Sequence, residues 1–174
     1  MTVAIVFKIT NKREVCQSED RLRTKQESTY DTELNEDKSI TVGSEIGKLK
    51  IPHLNIEGII VEGVDEENIK YNIGHFPECV MPGEEGNFAV AGHRGTLNNN
   101  VFNELHNIEE NDEIIIESLN GTYIYKVTDS FIVNPTETEI LNTTPGKSEI
   151  TIVTCTLDGK ERLIVKGILI EEEG

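Results

Sequence analysis

The chain has 174 residues, 36% of them hydrophobic and 28% charged, with no Trp and a formal net charge of −16. That length suits one domain with an extension and suffices to bury a core without staples; the acidity argues against a nucleic-acid or anionic-lipid surface, either of which needs clustered Lys and Arg. Three cysteines without paired spacing, Cys16, Cys79 and Cys155, argue against a disulfide framework or a Cys-rich zinc site and leave room for one reactive thiol.

The apolar start Val3–Phe7 is far shorter than the roughly 20 residues that span a bilayer, and no signal-peptide cleavage pattern follows it. Residues 1–40 carry seven basic and eight acidic side chains and few large apolar groups. They are expected to form a mobile N-terminal arm with one helical segment near Val15–Gln26. Residues 41–174 are expected to form the folded domain. From Ile46 onward, short apolar runs alternate with turn residues. The pattern predicts strands at Gly47–Ile51, Ile59–Val61, Asn87–Ala91, Glu113–Ser118, Thr122–Phe131, Ile150–Cys155 and Arg162–Ile170. Helical patterns are confined to Glu66–Ile73 and to Val101–His106, which follows the asparagine run Asn98–Asn100, a suitable N-cap region. Many short strands with rare, short helices argue for a mainly β fold, a closed or nearly closed barrel.

Two dipeptides, Asn120-Gly121 and Asp158-Gly159, are preferred for two-residue type I′ hairpin turns. With Asp158-Gly159 at the turn, Leu157 faces Lys160, and counting outward sets Cys155 opposite Arg162. Such cross-strand partners share a face with Cβ atoms about 4.5–5.5 Å apart. A cysteine ending an apolar strand is ordinarily a small buried hydrophobe. The facing arginine argues otherwise, because an unpartnered buried arginine is costly and a neighbouring cation favours the thiolate. Burial in a groove acts in the opposite sense. Cys79, in Pro77-Glu78-Cys79-Val80-Met81-Pro82, has no such neighbour and is read as structural, and Cys16 as incidental to the arm.

His93 lies in Val90-Ala91-Gly92-His93-Arg94-Gly95-Thr96, directly after an apolar strand and between glycines that let the backbone bend. A histidine so presented suits a general acid or base. His53, His75 and His106 have less telling surroundings and are read as structural or solvated. Residues 41–174 contain nine basic and twenty-four acidic side chains but only two arginines, Arg94 and Arg162, both inside these motifs. A Cys–His pair is consistent with acyl transfer through a thioester, with Arg162 as the cation beside the oxyanion. No evident Asp or Asn orients His93, so a papain-like triad is disfavoured. Two other readings stay open: a non-catalytic β-barrel that holds an extended peptide, and a metal-dependent module using Glu84-Glu85 or Glu109-Glu110, although EF-hand spacing is absent.

The ordered set of His93 in A-G-H-R-G-T, T-x-x-T-C at 151–155 and Arg162 on the next strand resembles the sortases, over roughly residues 46–170. The resemblance implies an eight-stranded sortase-type barrel and a cysteine transpeptidase that needs no cofactor or metal. Its implied donors are surface proteins bearing an LPXTG-like sorting signal, cut between Thr and Gly. Its implied acceptor is an amine of a peptidoglycan precursor of the lipid II type. Cys155 would be the nucleophile and His93 the acid and base. Arg162 would hold substrate and oxyanion, and Thr154 would line the same site. The six residues between Cys155 and Arg162 look most like class D sortases. The pilin-polymerising class C enzymes usually carry an Asp-Pro-aromatic lid motif, which this sequence lacks. The resemblance also implies the extracytoplasmic face of a Gram-positive cell membrane, although this sequence carries no full anchor.

Overall fold

Two runs of small and β-branched residues set the frame. Asn87 to Ala91 and Ile150 to Cys155 lie side by side in parallel, with Phe88 beside Ile150 and Ala91 beside Val153. The computed structural model describes residues 40–174, so the arm expected over residues 1–40, but for Ile40, and its helical segment near Val15–Gln26 lie outside the described residues. Eight strands follow in order: β1 (Glu45–Ile51), β2 (Ile56–Glu62), β3 (Ile73–His75), β4 (Gly86–Ala91), β5 (Glu113–Ser118), β6 (Gly121–Val133), β7 (Ser148–Cys155) and β8 (Arg162–Glu173). One helical turn, α1 (Glu66–Ile69), and 3-10 turns at Pro52–Leu54, Leu105–Asn107 and Glu139–Leu141 complete the described elements. The strands close into a barrel in the order β1-β2-β3-β4-β7-β8-β6-β5, β1 sealing against β5. The mainly β, eight-stranded barrel expected from the resemblance is therefore the observed fold.

Strand alternation divides the apolar residues between two cores. Ile150 and Ile152 of β7, Leu163 and Val165 of β8, and Phe88 and Val90 of β4 point into the barrel with Leu49, Ile60 and Ile116. The intervening residues Ala89, Ala91, Val153 and Ile164 face outward, where Ile140, Leu141, Val133, Phe76 and Cys79 cover them. The covering segment, residues 134–147, is fastened by its carbonyls. Asn87 Nδ2 donates to Leu141 O at 3.0 Å, and Thr151 Oγ1 donates to Asn87 Oδ1 at 2.8 Å. Lys166 Nζ donates to Ile140 O.

Three local expectations change. The helix expected over Glu66–Ile73 stops at Ile69, capped by Asp65, whose carboxylate accepts from Asn68 N at 3.1 Å. Ile73 instead opens β3, parallel to β2. A Cβ on Gly74 would lie 2.4 Å from Gly63 O, so the strand is admitted only because that residue is glycine. Val101–His106 is a turn leading into the 3-10 segment; Asn99 caps it, its Oδ1 accepting from Val101 N at 3.1 Å, and also works across the loop, donating to Ile69 O and Asn72 O. The β5–β6 hairpin turns at Leu119-Asn120, one residue before the expected pair, because Ser118 pairs with Gly121 and Gly121 takes φ +148°. Among the described residues no helix is long and apolar enough to cross a membrane.

Candidate active site

Parallel pairing dictates where the chemistry gathers. Ala91 of β4 is level with Val153 of β7, and Gly92 N continues the ladder by donating to Val153 O at 3.1 Å. His93 and Cys155 each follow two residues after that level pair, so the strands deliver both to one end of the barrel. Gly92 is required there, since a Cβ would meet the Phe102 ring at 2.7 Å.

Across β7 and β8, Cys155 pairs with Arg162 as expected. The turn chemistry differs. Thr156 N donates to Glu161 O at 3.1 Å and Gly159 N donates to Thr156 O at 2.9 Å. Leu157 and Lys160 therefore belong to the loop and not to the facing strands. A type I′ turn needs positive φ at two residues, whereas here Gly159 alone has it, at 70°. The Asp158 carboxylate shapes this loop, accepting from Thr156 Oγ1 at 2.7 Å and Lys160 N at 3.1 Å. Both loops are centred on Asp158-Gly159, so the register is the same.

The result is a pocket of about 280 Å³. One wall is His93, Arg94, Gly95, Thr96 and Asn103; the other runs from Cys155 to Gly159. Cys155 is a free thiol and half-buried, as is His93. Arg162 is only 1% exposed and lies behind the loop, its Nη1 donating to Glu161 O at 2.6 Å and Gly159 O at 3.4 Å. Its Nε and Nη2 are buried without acceptors, as is Nε of Arg94. Each unfilled buried donor costs about 1–3 kcal/mol, and of these two arginines Arg94 lines the pocket while Arg162 lies behind its loop.

Electrostatics set the resting state. Burial pushes the Cys155 thiol above its ordinary value, and the downward pull of Arg162, then of Arg94, does not cancel it. Burial likewise lowers His93, against a weaker upward pull from Glu66. The resting pair is thus neutral thiol and neutral imidazole, with thiolate–imidazolium a minority form.

Of the expected site residues, Cys155 and His93 share the pocket and Arg162 adjoins it. Thr154 does not reach it. Strand alternation turns Thr154 inward opposite Leu163, where it is 2% exposed and donates from Oγ1 to Gly92 O at 2.8 Å. Its place is behind the His93 loop. Arg94, whose one sequence signal is the scarcity of arginine in residues 41–174, also lines the pocket.

The remaining candidates lie elsewhere. His75 is buried, stacked on Phe88, with Nδ1 2.7 Å from Glu62 Oε2 and Nε2 3.1 Å from Val80 O. His53 pairs with Asp112 at 2.8 Å, and His106 meets Asn103 O at 3.1 Å. Cys79 is disulfide-bonded, so its structural reading stands, while the sparse cysteine spacing concealed one bridge. Among the described residues no group of three or more His, Cys, Asp or Glu is placed to hold a metal.

Comparison with known proteins agrees with this geometry. Residues 49–170 match the sortase domain model. Sortase D of Bacillus subtilis is 31% identical over 113 residues, covering 65% of this chain and 55% of that protein. Sortase A of Streptococcus agalactiae is 30% identical, covering 69% and 51%. The chain thus spans about half the length of these curated relatives. A Clostridium perfringens sortase D5 transpeptidase superposes with a TM-score of 0.71 at 34% identity, covering 98% of this chain and 96% of that one. Barrel order, domain match and the joint delivery of Cys155 and His93 to one pocket lead to a single assignment: the chain belongs to the sortase family.

Proposed function

We propose that the protein is a cysteine transpeptidase that cuts an LPXTG-like sorting signal between Thr and Gly and joins the Thr carbonyl to an amine of a cell-wall peptidoglycan precursor. The observation that carries this reading is the parallel β4–β7 register, by which His93 and the free thiol of Cys155 line one pocket together with Arg94, with Arg162 beside Cys155 on the next strand.

In the minority thiolate–imidazolium form, Cys155 Sγ attacks the Thr carbonyl carbon. The Arg162 guanidinium, the cation beside Cys155, stabilises the oxygen that becomes the oxyanion. As the tetrahedral adduct collapses, the C–N bond to Gly breaks, His93 gives its proton to the leaving nitrogen, and the Thr acyl group remains on sulfur as a thioester. The acceptor amine then attacks the same carbonyl, His93 takes its proton, and Sγ leaves as thiolate. Thr154 supports the loop that presents His93.

Clients are surface proteins bearing the signal, and the site of action is the extracytoplasmic face of a Gram-positive membrane. The class D assignment is supported by the near full-length likeness to the Clostridium perfringens enzyme. A quenched-fluorescence LPXTG peptide, with and without added amine, tests the proposal. Cleavage and an amine-ligated product, both abolished by Cys155→Ala, are expected. Peptide held without cleavage by the unaltered protein would instead identify a binding module.

A further inference from the structure

Among the described residues, the buried side-chain nitrogens and oxygens without a hydrogen-bond partner are three atoms: Arg94 Nε, Arg162 Nε and Arg162 Nη2. They come from the two residues whose charges act on Cys155. Arg162 stands beside Cys155 on β8 and serves the carbonyl under attack in the mechanism above. Arg94 stands elsewhere. It follows His93 directly and lines the wall shared with Thr96 and Asn103. It is 9% exposed and has no ion pair among the described residues, where the salt bridges involve other groups.

A guanidinium that lines a pocket and makes no hydrogen bond or ion pair among the described residues is matched to an sp² oxygen, which it binds in plane. Which oxygen follows from position. His93 exchanges its proton with the amine nitrogen of both the departing and the arriving group. The residue next in the chain, on the same wall, faces whatever that nitrogen carries. We propose that Arg94 is a specificity-determining residue that binds the carbonyl or carboxylate oxygen borne beside the amine nitrogen, first on the leaving residue and then on the acceptor. This rests on the transpeptidase reading. One site thereby reads both partners of the exchange, and simple alkylamines fill it poorly.

The experiment compares pairs of substrates that differ only in that oxygen. Two donors identical through Thr end in glycinamide or in propylamine, and the acceptors are glycinamide, glycine and propylamine. Differences in amine basicity and in active enzyme fraction cancel when the oxygen preference, a ratio of kcat/KM values, is compared between wild type, Arg94→Met and Arg94→Lys. The preference is expected to fall about tenfold in both variants, the worth of one charge-assisted hydrogen bond. Arg94→Lys falls with Arg94→Met because it keeps the charge but lacks the planar guanidinium. A fall in the donor arm alone assigns the oxygen to the leaving residue; a fall in the acceptor arm alone assigns it to the acceptor. An unchanged ratio in both arms overturns the proposal. So does a loss of rate in Arg94→Met that Arg94→Lys restores without any change in preference, which would make Arg94 a charge and nothing more. Binding of the two donors to Cys155→Ala, with and without Arg94→Met, reads the same preference as a ratio of Kd values. Failure of turnover, which sinks the transpeptidase reading, is thus distinct from failure of the preference, which sinks the role of Arg94.

Discussion

Replacing Thr154 by Val separates a residue that touches substrate from one that braces the site. Thr154 Oγ1 donates to Gly92 O at 2.8 Å, and Gly92 N donates to Val153 O at 3.1 Å. These two bonds fix the backbone immediately before His93. Valine fills nearly the same volume and has the same β-branched preference for a strand, but it leaves the buried Gly92 carbonyl without its partner. That loss costs about 1–3 kcal/mol. For a domain of this size, each kcal/mol lowers Tm by about 4 °C, so the variant should melt about 4–12 °C earlier. Because the displaced group is His93 and not a peptide-binding surface, kcat should fall while KM for the peptide changes little. Thr154→Ser restores the hydroxyl at the cost of one buried methyl, about 1 kcal/mol, and should recover most of kcat. Thermal melts and initial rates on the quenched peptide supply both readouts. A Thr154→Val protein with unchanged Tm and kcat but a raised KM would refute the argument and return Thr154 to the substrate groove.

Three further outcomes are expected. With Cys155 raised and His93 lowered, the profile of kcat/KM against pH should have its acid limb below the ordinary histidine value of about 6.5 and its alkaline limb above the ordinary thiol value of about 8.5. Iodoacetamide labelling of Cys155 should be slow at neutral pH and accelerate through the alkaline limb; a thiol fully reactive at neutral pH contradicts the burial argument. His75→Phe keeps an aromatic ring against Phe88 but leaves the largely buried Glu62 carboxylate without its hydrogen-bond partner, and should cost about 1.5–3 kcal/mol in urea denaturation. Pairing it with Glu62→Leu should return part of that loss, and no recovery would show that the Glu62–His75 contact was not the source. Lys166→Met removes the donor to Ile140 O from the outer face of β8. Residues 134–147 should become sensitive to limited proteolysis while the barrel melts as before, and equal resistance would mean that the bonds from Asn87, Glu149 and Glu85 hold the segment without Lys166.

How far the fold and site could be read from the sequence depends on what each inference required. The Cys155–Arg162 pairing was legible although the turn type was not, because register depends on the centre of the loop, and the two-residue and four-residue loops here share one. Strand β3 was not legible. Three residues show no period, and its admission rests on the approach of Gly74 to Gly63 O. The parallel β4–β7 register joins strands distant in sequence, so the meeting of His93 with Cys155 could be inferred only from the resemblance. The position of Thr154 was legible, since two-residue alternation sets it on the opposite face from Cys155. Arg94 shows a compositional signal whose meaning needed coordinates. Residues 41–174 hold twenty-four acidic side chains, so neutralising two arginines would have been easy, yet neither forms an ion pair among the described residues. Cations kept dry and unneutralised in so acidic a domain gain most from an oxygen that arrives with the ligand. In the proposed reaction Arg162 serves the carbonyl under attack and Arg94 the amine side.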